Sequence, residues 1–436
     1  MMQQRHAHLV FDFSARGILR SCLTGFALFA TEAQAQTLVD PVLEVSLQVS
    51  SLANPTSMAL LPTSTGQPLE FLVCEKATGR VMHVRGSTIV GPALDLAVNS
   101  LSERGLLGIA LHPAFASNQF VYVYYSASST SLDNTNQNAI AANRVERYSW
   151  DGGALSAPAL ILSLPATPGP NHDGGVILFG PDGMLYGAIG DLNRNGQLQN
   201  YPNGPLPDDS GILFRVHDDG TAPADNPFYH LGGNMAKVYA FGVRNSFGLD
   251  FDPASAVLWD TENGPNVFDE INRVLPGFNS GWERIMGPVA EDAEGLGDLW
   301  PAEGSRYEDP QFSWRAPIGV AAMHFVRGGV LGPEYAQDLL VGDNNTGTLY
   351  RFELSADRTS LIMPTADTAD RIADTTTERN LFRIGSGFGT ITDLETGPDG
   401  VYVCSYGNGS IYRIRRNPTA VSPSKWGDVK SLYRAR

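Results

Sequence analysis

The chain has 436 residues, of which 42% are hydrophobic and only 17% charged, with 46 Gly and 28 Pro; this is a globular, turn-rich composition that excludes disorder and coiled coil. Asp and Glu (46) outnumber Lys and Arg (30), giving a formal charge of −16, the wrong sign for tracking nucleic acid or an anionic bilayer. The length exceeds one ordinary core and suits several domains or one closed architecture of repeats.

In chain order, Arg5, Arg16 and Arg20 precede a short apolar stretch from about Cys22 to Ala30, and Ala33-Gln34-Ala35 supplies a small-x-small cleavage pattern. Residues 1–35 therefore read as a signal peptide, with periplasmic or secreted export of residues 36–436. No segment reaches the roughly 20 apolar residues of a membrane-spanning helix, so no membrane insertion is expected.

A repeat then recurs: a turn with Pro or Gly, an apolar alternating strand, a Gly turn and a strand ending near an Arg. Its clearest copy runs from Thr396-Gly-Pro-Asp-Gly400 into Gly409-Ser-Ile-Tyr-Arg413. Copies start near positions 57, 106, 174, 247, 320 and 391, six in all. The spacing exceeds that of bare four-stranded repeats, so residues 126–143, 193–209 and 287–317, rich in Gly, Pro, Asn and Asp, are expected to be irregular loops. The expected fold is all-β, a single six-bladed β-propeller with long loops around one mouth of a central channel and a short tail from about 417. Cys74 and Cys404 occupy equivalent positions of two repeats; such positions usually lie too far apart for a disulfide, and both are expected to be free.

Four stretches carry candidate chemistry. Gly169-Pro-Asn-His-Asp-Gly-Gly175 places His172 on a loop before a strand, where an imidazole can act as a general base. Tyr239-Ala-Phe-Gly-Val-Arg-Asn-Ser-Phe-Gly248 holds Arg244 and Asn245 at a tight turn. Trp259-Asp-Thr-Glu-Asn-Gly-Pro-Asn266, followed by Asp269-Glu270, gathers carboxylates and kinked backbone carbonyls suited to Ca²⁺. Asp191-x-Asn193-x-Asn195-Gly196 imitates the start of a Ca²⁺ loop, but Pro202 stands where its final Glu is needed.

These runs, together with Glu103-Arg-Gly-Leu-Leu-Gly-Ile-Ala-Leu-His-Pro113, Phe179-Gly-Pro-Asp-Gly183, Ile189-Gly-Asp191 and Gly277-Phe-Asn-Ser-Gly-Trp282, resemble the soluble glucose/sorbosone dehydrogenases over nearly the whole expected mature chain. That family consists of six-bladed propellers that use pyrroloquinoline quinone (PQQ). The resemblance implies an aldose substrate oxidised at the anomeric carbon to a lactone, with an external electron acceptor. It implies His172 as the base, Arg244 and Asn245 as contacts steadying the quinone, and Asn171 beside them. It also implies carbonyls of Gly264 and Pro265 on a Ca²⁺ that polarises the quinone, and Glu270 on a second, structural Ca²⁺.

The departures lie among the cations that hold the three carboxylates of PQQ. A family Lys aligns with Asn345, and two family Arg align with Thr390 and Thr392. A family Gln aligns with Glu103, adding negative charge. None of the four lysines (Lys76, Lys237, Lys425, Lys430) is near these positions in sequence, and Arg194, Arg284 and Arg315 are candidate substitutes. Without the anchors, a calcium-dependent lactone or ester hydrolase and a non-catalytic carbohydrate-binding propeller stay open beside the quinoprotein.

Overall fold

A computed structural model describes residues 35–419. The signal-peptide reading, apart from Ala35, and the tail beyond 419 lie outside the described residues. Runs rich in β-branched and aromatic residues, such as Phe120–Ser128 and Glu70–Glu75, form strands, as their preference for pleated surfaces requires. Helix is confined to Phe115–Asn118, Thr376–Asn380 and short 3-10 turns among the described residues.

The strands assemble into six sheets in an all-β, propeller-like arrangement. Each sheet begins with an inner strand: Pro55–Leu61, Leu106–Leu111, Ile177–Phe179, Ser246–Phe251, Val320–Phe325 and Ile391–Gly397. Every inner strand touches the next, and Ile391–Gly397 touches Pro55–Leu61, so the ring closes. The closure is reinforced by Leu43–Val49, which pairs antiparallel with Ser410–Arg416 and so supplies the outer strand of the last sheet from the other end of the described chain. The six repeat starts read from sequence fall at or within a few residues of these inner strands.

Two expectations are corrected. The middle strands are not alternating: Leu185–Ile189 and Ile212–Val216 are buried at every position, because each sheet has a neighbour on both faces. The packing between the first and second sheets shows this, with Leu72 and Cys74 meeting Ile109, Val121 and Val123 in one apolar layer. The segment 287–317 is not all loop either; Arg306–Tyr307 and Phe312–Trp314 add strands to the third and fourth sheets, and Phe312 and Trp314 are buried in an aromatic cluster. Such short additions, made partly by parallel pairs, bring those sheets to six and five strands. Cys74 and Cys404 are both buried and free. Among the described residues no helix is long and apolar enough to cross a membrane.

Candidate active site in the central cavity

The loops that enter the inner strands bring together residues far apart in sequence. His172 lies between Leu155–Leu164 and Ile177–Phe179, with φ of 63°, a left-handed backbone unusual for a residue with a side chain. The Glu103 carboxylate, from the loop before Leu106–Leu111, accepts the His172 backbone N–H at 2.6 Å and holds that turn. The same Oε2 accepts from Asn245 Nδ2 at 3.3 Å, so one carboxylate ties three loops together.

The imidazole is oriented from its other side. His172 Nδ1 lies 2.6 Å from Asp191 Oδ1. An ionised carboxylate only accepts, so Nδ1–H donates and Nε2 of the neutral ring keeps its lone pair. Asp191 is fixed in turn by the Trp282 indole N–H at 2.7 Å and the Asn193 N–H at 2.7 Å. Its own N–H donates to the Arg244 carbonyl at 2.9 Å. This close passage needs Gly190: a Cβ there would lie 2.4 Å from the Arg244 carbonyl oxygen and 2.8 Å from His172 Cβ. Asp191, read from sequence as the start of a discarded Ca²⁺ loop, is thus the partner of the candidate base. Its position in the Ile189-Gly-Asp191 run was the available signal.

Arg244 donates through Nη1 to the carbonyls of Asn263 (2.8 Å) and Gly264 (3.2 Å), and its guanidinium lies 5.2 Å from the centre of the Trp282 ring. Its backbone N–H donates to Glu262 Oε1 at 2.7 Å. Burial pushes the Glu262 carboxyl up to about 7 against the opposing pull of Ser280 and Arg244. Two buried polar atoms here, Arg244 Nε and Asn245 Oδ1, have no hydrogen-bond partner. Buried groups left unmet in this way are what a polar ligand reaching them would satisfy.

Glu103, Ser102 and Gly174 line a central cavity of about 330 Å³, ringed by the starts of the inner strands, at the low end of the roughly 300–1,000 Å³ range of small-molecule sites. Asn263, Asn344, Thr390 and Thr392 line it as well. The Thr390 hydroxyl donates to the Asn344 carbonyl and that of Thr392 to the Pro55 carbonyl, both at 3.0 Å. Asn345 is exposed beside them, with its amide over Gly319. Asn171 Oδ1 accepts from the Ser102 hydroxyl.

The proposed substitute cations go elsewhere: Arg194 pairs with Asp208, Arg284 with Glu294, and Arg315 with Glu291 and Asp374. The cation that does line the cavity is Lys76, which sequence distance had set aside. Its place just after the strand Glu70–Glu75, at the end facing the loop of Glu103, was the signal available.

The Gly264 carbonyl thus faces a cation, the Arg244 guanidinium, so its geometry suits positive charge. Glu270 lies deeper, opposite Glu262 across paired strands and beside Asp260, which has one buried oxygen without a partner. Burial raises the Glu270 and Asp260 carboxyls, and their mutual charge with Glu262 adds to it. Oxygen-rich surroundings of this kind suit hard cations, but no group of three or more His, Cys, Asp or Glu placed to hold a metal occurs among the described residues.

The comparisons with known proteins agree with this architecture. A profile described as glucose/sorbosone dehydrogenase matches residues 52–413. The chain is 32% identical over 244 residues to quinoprotein glucose dehydrogenase B of Acinetobacter calcoaceticus, an alignment covering 51% of this chain and 49% of that one. It is 27% identical over 301 residues to aldose sugar dehydrogenase YliI of Escherichia coli, covering 68% and 77%. A solved structure from Thermus thermophilus, named as an oxidoreductase (glucose dehydrogenase), superposes with a TM-score of 0.66 at 27% identity, covering 85% of this chain and 99% of that one. With the profile running through all six sheets, from the loop before the first inner strand to the last strand, the chain belongs to the glucose/sorbosone dehydrogenase family.

Proposed function

We propose that this protein is a PQQ- and Ca²⁺-dependent dehydrogenase that oxidises the anomeric carbon of an aldose to the lactone. Its membership of the family, with relatives named as quinoprotein and aldose sugar dehydrogenases, supports an oxidoreductase acting on sugars. The observation that carries the chemistry is the His172–Asp191 pair at 2.6 Å, locked by the Trp282 indole.

In this reading His172 Nε2 takes the proton of the anomeric hydroxyl, and the Asp191 carboxylate stabilises the imidazolium that forms. Glu103 fixes the loop that carries the base, and its carboxylate and the Asn171 loop line the sugar's side of the cavity. Bound PQQ supplies the hydride acceptor, and an external acceptor removes the electrons. Arg244 would meet charge on the quinone with its unmet Nε–H, and Asn245, whose unmet Oδ1 can only accept, would be its neighbouring contact. Asn345, Thr390 and Thr392 border it as neutral contacts. The carbonyls of Gly264 and Pro265 would hold the catalytic Ca²⁺, with Arg244 yielding one of its two carbonyl contacts, and Glu270 a structural one. We read the six sheets as the blades of one propeller spanning residues 36–436, exported after removal of residues 1–35.

The test is titration of chelator-stripped protein with PQQ, with and without Ca²⁺, followed by dye reduction across a panel of aldoses. Ca²⁺-dependent binding, with turnover lost in His172→Ala, is expected. Absence of binding at micromolar PQQ in the presence of Ca²⁺ would overturn the reading.

A further inference from the structure

Removal of three cations from a site for a tricarboxylate leaves a charge deficit, and the cavity contains one side chain able to offset it. Lys76 is half-buried in the cavity wall, on the turn after Glu70–Glu75. Its ammonium donates to the carbonyls of Ser102 (2.7 Å) and Ser100 (3.3 Å). An ammonium has three donors, so one is free. No carboxylate lies within ion-pair distance of it among the described residues: the pairs formed by the chain's other cations are all elsewhere. It therefore has no contact ion pair, only the longer-range attraction of Glu103 and Asp173, while it faces a cavity shared with Thr390, Thr392 and Asn344.

The position of Lys76 is built rather than incidental. Gly105, with φ of +147°, lets the Glu103 loop pass over it; a Cβ there would lie 2.5 Å from the Lys76 carbonyl oxygen and 2.7 Å from Lys76 Cγ. The Leu106 N–H donates to that same carbonyl at 2.9 Å. Burial lowers the tendency of the amine to hold its proton, and the negative charges of Glu103 and Asp173 oppose that. An arriving carboxylate would do the same at closer range, which makes the ammonium a better anion partner in the complex than in the free protein.

Resting on the quinoprotein reading above, we infer that Lys76 is a cofactor anchor of this chain, its free donor taking a carboxylate of PQQ from the first sheet, in place of charge lost at positions 345, 390 and 392. Hydrogen bonds to charged groups are worth enough that losing this one weakens binding roughly 10- to 100-fold.

The experiment measures equilibrium binding of PQQ and of its uncharged trimethyl ester to the Ca²⁺-loaded protein by fluorescence quenching, for the wild type, Lys76→Met and Lys76→Arg. The expected result is weaker PQQ binding in Lys76→Met with the ester's affinity unchanged, and near wild-type PQQ binding in Lys76→Arg. Thermal unfolding of each unliganded variant reports whether the contacts to Ser100 and Ser102 hold the loop by themselves. Equal loss for PQQ and ester would assign Lys76 a purely structural role and overturn the inference, as would no loss for either. Failure of the wild type to bind PQQ at all would instead remove the functional reading on which the inference stands.

Discussion

Two groups of residues around the central cavity are built on opposite principles, one reaching it through Glu103 and the other lining it directly. On one side His172, Asp191, Arg244, Glu103 and Glu262 are cross-bonded through carboxylates, an indole and backbone amides, so each charged group is held by at least one other loop. On the other side Thr390, Thr392 and Asn344 are neutral, and the two hydroxyls are already engaged with backbone carbonyls. The contrast teaches that the groups proposed for proton transfer are preorganised by the fold, while the groups expected to grip an anion have been exchanged for ones that hold the protein together. Chemistry and grip can therefore be separated by substitution.

The largest expected effect is on the charged side. His172→Ala removes the general base and should lower kcat by about 10²–10⁴-fold while leaving PQQ affinity within about threefold, as measured by dye reduction beside quinone titration. A parallel loss of affinity would mean that the imidazole grips the cofactor instead of moving a proton. Next in size is Asp191→Asn. The amide can offer either its oxygen or its NH₂ to Nδ1, so the tautomer is no longer fixed, and a fall in kcat of about 10–10³-fold follows, short of the full loss seen when the wrong tautomer is enforced in a buried triad. The pH profile of kcat should also move, because the imidazolium loses its counter-charge. A drop in KM alone would sink the orienting role.

Much of this side was legible in the sequence, and for a physical reason. His172, Arg244 and Asn245 sit in short Gly-bracketed loops at the starts of inner strands, where local turn chemistry and repeat position fix the side chain. The repeat starts were equally readable because each inner strand opens on its own turn. Long-range partnerships were not readable: Asp191 and Trp282 are 91 residues apart and meet on loops of the same, third sheet, while Glu103 and Asn245 are 142 apart and meet only because the ring brings the second and fourth sheets' loops together. Lys76 was missed for the same reason, since distance along the chain says nothing about which inner-strand ends face one cavity. The surplus residues 287–317 were misread because strands of two or three residues carry too little periodicity to be seen.

Holding charge inside the protein also has a pH signature. Asp173, next to the candidate base, is fully buried with Arg104, itself fully buried, at 3.6 Å. Burial pushes its carboxyl up to about 6, against the opposing pull of Asn143 and Arg104. Between about pH 4 and 6 the native carboxyl keeps a proton that the unfolded chain has lost, so this group's contribution to stability declines as pH rises through that window and is constant above it. The decline amounts to about 2–3 kcal/mol. Asp173→Asn, whose amide is uncharged at every pH, should remove that slope. Urea unfolding from pH 4 to 8 on both proteins checks it: the stability of the wild type relative to the variant should fall between pH 4 and 6 and then level off. An advantage that grows with pH would show that the Arg104 pairing dominates burial at this position.

The smallest effects belong to the neutral side, and their smallness is the point. Thr390→Val and Thr392→Val each remove a hydroxyl that donates to a backbone carbonyl 3.0 Å away while keeping the branched shape. A typical intramolecular hydrogen bond contributes about 0.5–1.5 kcal/mol net, so each variant should lose about that much stability, less for Thr390, whose acceptor Asn344 is exposed, than for Thr392. If these hydroxyls serve the protein and not a ligand, PQQ affinity should change by less than about threefold, because a donor already committed to a carbonyl has little left to offer a carboxylate. The double variant should then bind nearly as the wild type does. A tenfold loss in either single variant would show that the hydroxyls turn from Asn344 and Pro55 toward the ligand on binding, and the neutral wall would have to be counted as part of the grip.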